Sequence, residues 1–86
     1  MKTYQVNKDQ HKTISITQSG DYLIELLGQG AEVTVFGGFL AENTQKVDIN
    51  ITIHHKAKNT LANTSLRGVA RDSASIRFFG RIIIDP

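Results

Sequence analysis

Wherever this chain shows a pattern, apolar and polar residues alternate with a period of two, and that period restricts it to strands. Thr13-Ile14-Ser15-Ile16-Thr17 and Glu32-Val33-Thr34-Val35-Phe36 alternate cleanly, and Val47 to His55 is the longest run of this kind. Successive side chains on a strand point to opposite faces, so each run offers one apolar face to a core and one polar face to water. Tyr22 to Leu27 is mostly apolar, as in a strand covered on both sides. Further strands are expected at Phe39-Leu40-Ala41, Leu61 to Val69, Ser75 to Phe79 and Arg81 to Ile84. Almost nothing has the 3.6-residue period of an amphipathic helix. About eight short strands make the expected fold all-β, in a single domain over residues 1–86.

The connections decide between architectures. Gln18-Ser19-Gly20-Asp21, the polar stretch Glu42 to Lys46, Ala57 to Asn59 and Arg71-Asp72-Ser73 carry turn signals, yet no Asn-Gly or Asp-Gly pair occurs. Two-residue hairpins depend on such pairs for positive φ, so their absence weakens an antiparallel meander. Gly28, Gly30, Gly37, Gly38, Gly68 and Gly80 punctuate the strands instead and are expected to serve as structural corners. That punctuation favours a parallel β-helix, with a β-sandwich as the runner-up.

A chain of 86 residues builds one modest core, burying roughly 60–65% of the surface its unfolded form exposes. It has no cysteine, which removes disulfides, thiolate metal ligands and cysteine nucleophiles. No apolar run approaches the roughly 20 residues that span a bilayer, and the opening MKTYQVNKDQHK lacks the apolar middle of a secretory signal. A cytoplasmic protein that does not enter membranes is the expectation. The triplets at Asn50 and Asn63 that resemble glycosylation sites have no role in that setting.

The net charge is only +2, but it is unevenly spread. Lys56, Lys58, Arg67, Arg71, Arg77 and Arg81 form a basic second half against Asp72 and Asp85 alone. Nucleic-acid binding would want exposed aromatics among those charges, and Phe78 and Phe79 fall in what reads as buried strand. Solvated arginines on outer strand faces are expected, Arg67 and Arg81 among them, and no nucleic-acid partner.

The sequence DINITIHH, residues 48–55, places His54 and His55 side by side. On a strand, Ile49, Ile51, Ile53 and His55 share one face, and Asp48, Asn50, Thr52 and His54 the other. His55 therefore belongs to the apolar face, where a loop carbonyl, Asn59 or Thr60 would satisfy its ring. As a metal ligand it would need partners among His54, His11, Asp48 and Asp72, and adjacent strand histidines diverge, so no metal site is expected. As a general base it would need a nucleophile, and the spacing brings neither Ser65 nor Asp72 to it. A metal cupin would need two histidines two positions apart with an acid soon after, and this chain has neither. Gly28-Gln29-Gly30 is followed by a strand pattern rather than a helix, which argues against a phosphate loop. No enzymatic constellation emerges. A polar groove near His54, Asn59, Thr60 and Arg67 is the ligand-binding alternative.

LIELLGQGAEVTVFGGFL, followed by VDINITIHHKAKNTLANTSLRGVARDSASIRFFGRIII, resembles the core of the SufB/SufD family of iron–sulfur cluster assembly scaffold proteins. The family pattern is a strand into a Gly-x-Gly-Ala turn, an aspartate-containing strand ending in histidine, an Asn-Thr loop, Leu-Arg-Gly-Val-Ala and Phe-x-Gly-x-Ile-x-Ile. All of these stand here in order, from Tyr22 to Ile84, residues 1–86 are expected to form one SufB/SufD-like core domain, and His55 falls on the family histidine. The resemblance implies a right-handed β-helix core segment and a non-catalytic scaffold that works by protein–protein association. It also implies a link to iron–sulfur clusters, which this chain is not expected to hold as a cofactor by itself. In longer members a C-terminal region follows where a partner ATPase docks, and the expectation is that this chain lacks it. A homo-oligomer is expected, with a SufC-like ATPase or SufB/SufD-like subunits as further partners, because a β-helix with open ends leaves backbone groups unpaired.

Overall fold

The computed structural model describes residues 1–85. It contains seven strands: β1 (Lys2–Val6), β2 (His11–Ser15), β3 (Gly20–Leu26), β4 (Glu32–Ala41), β5 (Lys46–His55), β6 (Leu61–Ala70) and β7 (Ser75–Ile84). The odd strands form one sheet in the order β1-β3-β5-β7, and the even strands form a second, β2-β4-β6. Every pairing is parallel, so a hairpin-connected sandwich is not the arrangement. Each strand passes the chain to the opposite sheet, and the next strand but one returns to pair beside it.

Register explains why the period-two pattern suffices. Asp21 pairs with Asn50, 29 residues on, and the same offset relates β4 to β6 and β5 to β7. The first layer is shorter: Gln5 pairs with Glu25, 20 residues on, because β1 and β2 are only 5 residues each. Inward positions therefore align in columns such as Tyr4, Ile24, Ile53 and Ile82. The buried core lies between the sheets and contains Val6, Ile14, Ile16, Tyr22, Ile24, Leu26, Val33, Val35, Ile49, Ile51 and Ile53. Each such aliphatic side chain contributes roughly 1.5–3 kcal/mol when fully removed from water. The tyrosine among them is satisfied, because its hydroxyl donates to the Gln18 carbonyl oxygen at 2.7 Å.

The corners differ from the sequence expectation. Gly28 and Gly30 do sit in a turn, but Gly37, Gly38, Gly68 and Gly80 lie inside β4, β6 and β7 with extended backbones. Phe39-Leu40-Ala41 is consequently not a separate strand, and β7 runs unbroken through Gly80. The chain turns instead at Asp9, Asn43, Asn59 and Asp72, whose φ angles are 57–60°, and at Gly30 with φ 80°. Asparagine and aspartate tolerate this left-handed conformation better than other side chains. Four turns close with the same bond: the amides of Gln10, Ala31, Gln45 and Ala74 donate to the carbonyls of Asn7, Gly28, Glu42 and Arg71, each at 3.1 Å. Turns also stack, since the Asp9 amide donates to the Gln29 carbonyl at 3.1 Å and the Asn43 amide to the Asp72 carboxylate at 3.4 Å. β1 has no clean alternation and was not legible as a strand.

The strand glycines answer to packing. A Cβ at Gly37 would lie 2.6 Å from the Ile16 carbonyl oxygen, and one at Gly68 would lie 2.8 Å from the Ile76 Cδ1, whereas Gly38 and Gly80 face open space. Gly37→Ala is thus expected to cost about 1–3 kcal/mol, and Gly38→Ala to stay within about 0.5 kcal/mol of the parent. Denaturant unfolding of the two adjacent variants checks this, and equal midpoints would contradict it.

Candidate functional site

β5 runs with Ile49, Ile51 and Ile53 facing the core, and the same parity carries His55 inward at the strand's end. Its Nδ1 lies 2.6 Å from the Thr60 hydroxyl, which in turn lies 3.3 Å from the Ala57 carbonyl oxygen. The Thr60 hydroxyl has one hydrogen, so where it is given to Ala57 the His55 Nδ1–H is the donor to Thr60, and in the other tautomer the hydroxyl donates to Nδ1. This pair closes the loop between β5 and β6, where Asn59 takes positive φ. Asn59, Thr60 and His55 line one open depression together with Lys58 and Asp85.

His54 points to the outer face. Its Nε2 lies 2.8 Å from the Asp85 carboxylate, and its register neighbour on β3 is Glu25. Glu25 receives the Lys56 ammonium at 2.5 Å and the Gln5 amide at 3.3 Å. Its carboxyl is held below the ordinary value of 4.5, chiefly by the hydrogen bond from Lys56 and next by that from Gln5. Arg67 stands apart from all of these, in the second half of β6 beside Gly38. The structure thus joins Asn59 and Thr60 to His55, and places His54 and Arg67 elsewhere. Among the described residues neither Arg67 nor Arg81 forms an ion pair, and no three His, Asp or Glu side chains converge as a metal-holding group.

The most unusual surface is the end formed by β6 and β7. No buried hydrophobic residue lies on either strand, although both continue the inward columns of the core. Ile76, Phe78, Ile82 and Ile84 occupy inward positions of β7, and Ala62, Thr64, Leu66 and Gly68 those of β6. Among the described residues no strand packs beyond β7, and Ile82 is 68% and Ile84 72% exposed. An apolar cleft of about 250 Å³ opens between Ile51, Ile53, Thr64, Gly80 and Ile82. The other half of this end is closed: the Phe39 and Phe78 rings meet at 5.8 Å and 52°, and Ile76 fills the space left by Gly68. Phe78 and Phe79, expected from the sequence to be buried, are 40% and 63% exposed. Phe78 takes an inward position on an edge strand with no further layer over it, whereas Phe79, in register with Asn50, lies on the outer face.

Residues 4–86 match the family model described as SUF system FeS cluster assembly, SufBD core domain. The chain belongs to the SufBD core domain family. The match extends the sequence resemblance back from Tyr22 into β1, so the first layer is part of the SufBD core. No curated protein and no solved structure matches the chain. Among the described residues of this SufBD core, no helix is long and apolar enough to cross a membrane.

Two predictions follow from the SufBD core's paired side chains. His55→Ala leaves the Thr60 hydroxyl short of a partner and opens a gap at the core's edge, a loss of about 1–2 kcal/mol. His54→Ala removes an exposed pair and is expected to cost under about 1 kcal/mol. Thermal unfolding of the two variants checks the order, and equal midpoints would contradict the facing of the two rings. The second concerns acid. A carboxyl with a depressed folded pKa stabilises above its unfolded value and loses that contribution as pH falls through the folded value. Lys56→Gln is therefore expected to lower the melting temperature near pH 7 and to flatten the acid limb, so that the two profiles converge as pH falls from about 5 toward about 3. Superimposable acid limbs would remove the Lys56–Glu25 pair from the account.

Proposed function

We propose that this chain is a non-catalytic scaffold module of SUF-type iron–sulfur cluster assembly, acting through protein–protein association at the β6/β7 end. One observation carries the proposal: among the described residues of this SufBD core, the inward columns reach β6 and β7 and present exposed apolar side chains there. Both end strands also present a row of unpaired backbone groups, the usual template for pairing with another strand. The occupant is a second copy of the chain, whose equivalent end is equally apolar. A SufB/SufD-like subunit offers the same kind of end, and a SufC-like ATPase is the further partner the family membership suggests.

In this proposal the two parallel sheets are a right-handed β-helix. The support is general: connections between parallel strands of one sheet are right-handed in nearly all known cases. The cluster is cargo of the assembled complex, since a chain without cysteine has no thiolate to hold it. The cytoplasm is the compartment that goes with this role.

Light scattering on a sizing column tests the proposal, with the chain alone, with a SufD-type subunit and with a SufC-type ATPase. A discrete dimer, or a defined complex with the SufD-type subunit, is expected. Ile82→Arg places a charge in the end face and is expected to weaken association at least about tenfold. A chain that stays monomeric at every concentration and joins neither protein would overturn the proposal.

A further inference from the structure

The opposite end of the molecule is built differently. There β1 and β2 are the edge strands, and two of their inward positions carry charge. Lys2 is in register with Tyr22, and Lys12 with Val33, both core residues. In the next layers those columns continue as Ile51 and Ala62, so lysine appears only at the edge.

Lys12 does more than occupy the position. Its ammonium reaches from β2 to the Gln5 carbonyl oxygen on β1, 3.1 Å away, and so crosses the mouth between the two sheets. The neighbouring Val6 carbonyl accepts from Leu27, which follows β3, and therefore points into the sheet. Carbonyls alternate in direction along a strand, so that of Gln5 points out of the sheet, toward any strand that would add there. Lys12 fills that acceptor with its own side chain. An inward-pointing charge on an edge strand is a known means of blocking edge-to-edge pairing.

We infer that Lys2 and Lys12 form a stop at the β1/β2 end that forbids head-to-tail stacking and limits self-association to the β6/β7 end. Head-to-tail contact is heterologous and repeats without limit, giving fibres, whereas contact between two like ends closes at a dimer. In a head-to-tail contact that continued the columns, Lys2 would fall over Gly80, between Phe78 and Ile82, and Lys12 over Ala62, with no acid at an inward position of either strand to meet them. A buried, unpaired charge opposes such a contact strongly. Two β6/β7 ends meeting each other place no charge at an inward position. The stop shares with the proposed function only the premise that the β6/β7 end is adhesive.

The test is the solution mass of Lys2→Leu/Lys12→Leu across a concentration series, with folding checked by circular dichroism. Lys8→Leu/Lys58→Leu, in two turns, removes the same net charge and serves as the control. The inward double variant is expected to grow at least about fivefold in mass with concentration, while the parent and the control stay at one closed species. Adding parent protein to the growing variant is expected to shorten its assemblies, because a parent chain can add by its apolar end and then presents a blocked one. A parent that is monomeric beside a variant that grows would uphold the stop while removing the dimer. An inward variant that keeps the parent's closed mass would overturn the stop and leave the dimer standing. Equal growth of the control would also overturn it, by tracing the effect to net charge.

Discussion

Parallel, in-register pairing of one layer with the next is the interaction on which everything else in this protein rests. In a parallel ladder the partner of each residue lies on the same face as itself, so a single alternating strand dictates what its neighbours must be. Ile24 needs an apolar residue at Ile53, and Ile53 needs one at Ile82. The outer face obeys the same rule with different chemistry: Gln5, Glu25 and His54 are aligned there, and Asn50 donates to the Asp21 carboxylate at 2.7 Å across the same pairing. A one-residue slip would turn every core position out to water, and the turn-to-turn bonds at Asp9 and Asn43 oppose that slip.

This dependence explains what could be read from the sequence. The all-β class, the long β5 and the inward facing of its isoleucines follow from alternation alone, which the fold preserves. Strand boundaries did not follow, because glycine was weighed for its freedom and not for its size. At Gly37 the determining fact is the Ile16 carbonyl oxygen, a group from another layer whose proximity no local window contains. The true corners rest on Asn43, Asn59, Asp72 and Asp9, residues as common in ordinary loops as in left-handed turns. Their signal was the recurrence of Asn43 and Asp72 at equivalent places in successive layers, visible only once the 29-residue offset is known.

The candidate site divides in the same way. The orientation of His55 was legible, and so was Thr60 as its partner, since both depend on contacts within a few residues. The groove that would have joined His54 and Arg67 to Asn59 was not assembled, because parity sends His54 outward and Arg67 lies far along β6. The alternating pattern gave no hint that Phe78, on the inward face of β7, would be exposed. Exposure there is a property of position in the stack: the same alternating pattern is core in β5 and surface in β7.

Position in the stack also gives the molecule a polarity that an antiparallel sandwich lacks. A parallel stack has two chemically distinct ends by construction, because the chain enters at one and advances toward the other. Selection can therefore act on them separately, leaving Ile82 and Ile84 uncovered at one end while placing Lys2 and Lys12 at the other. The chain has no thiolate to offer a cluster, and the role proposed for it is control over which surfaces meet. A scaffold needs a defined stoichiometry before it can hold anything in a defined place. In the proposed arrangement, an apolar end opposite a charged one would set that limit.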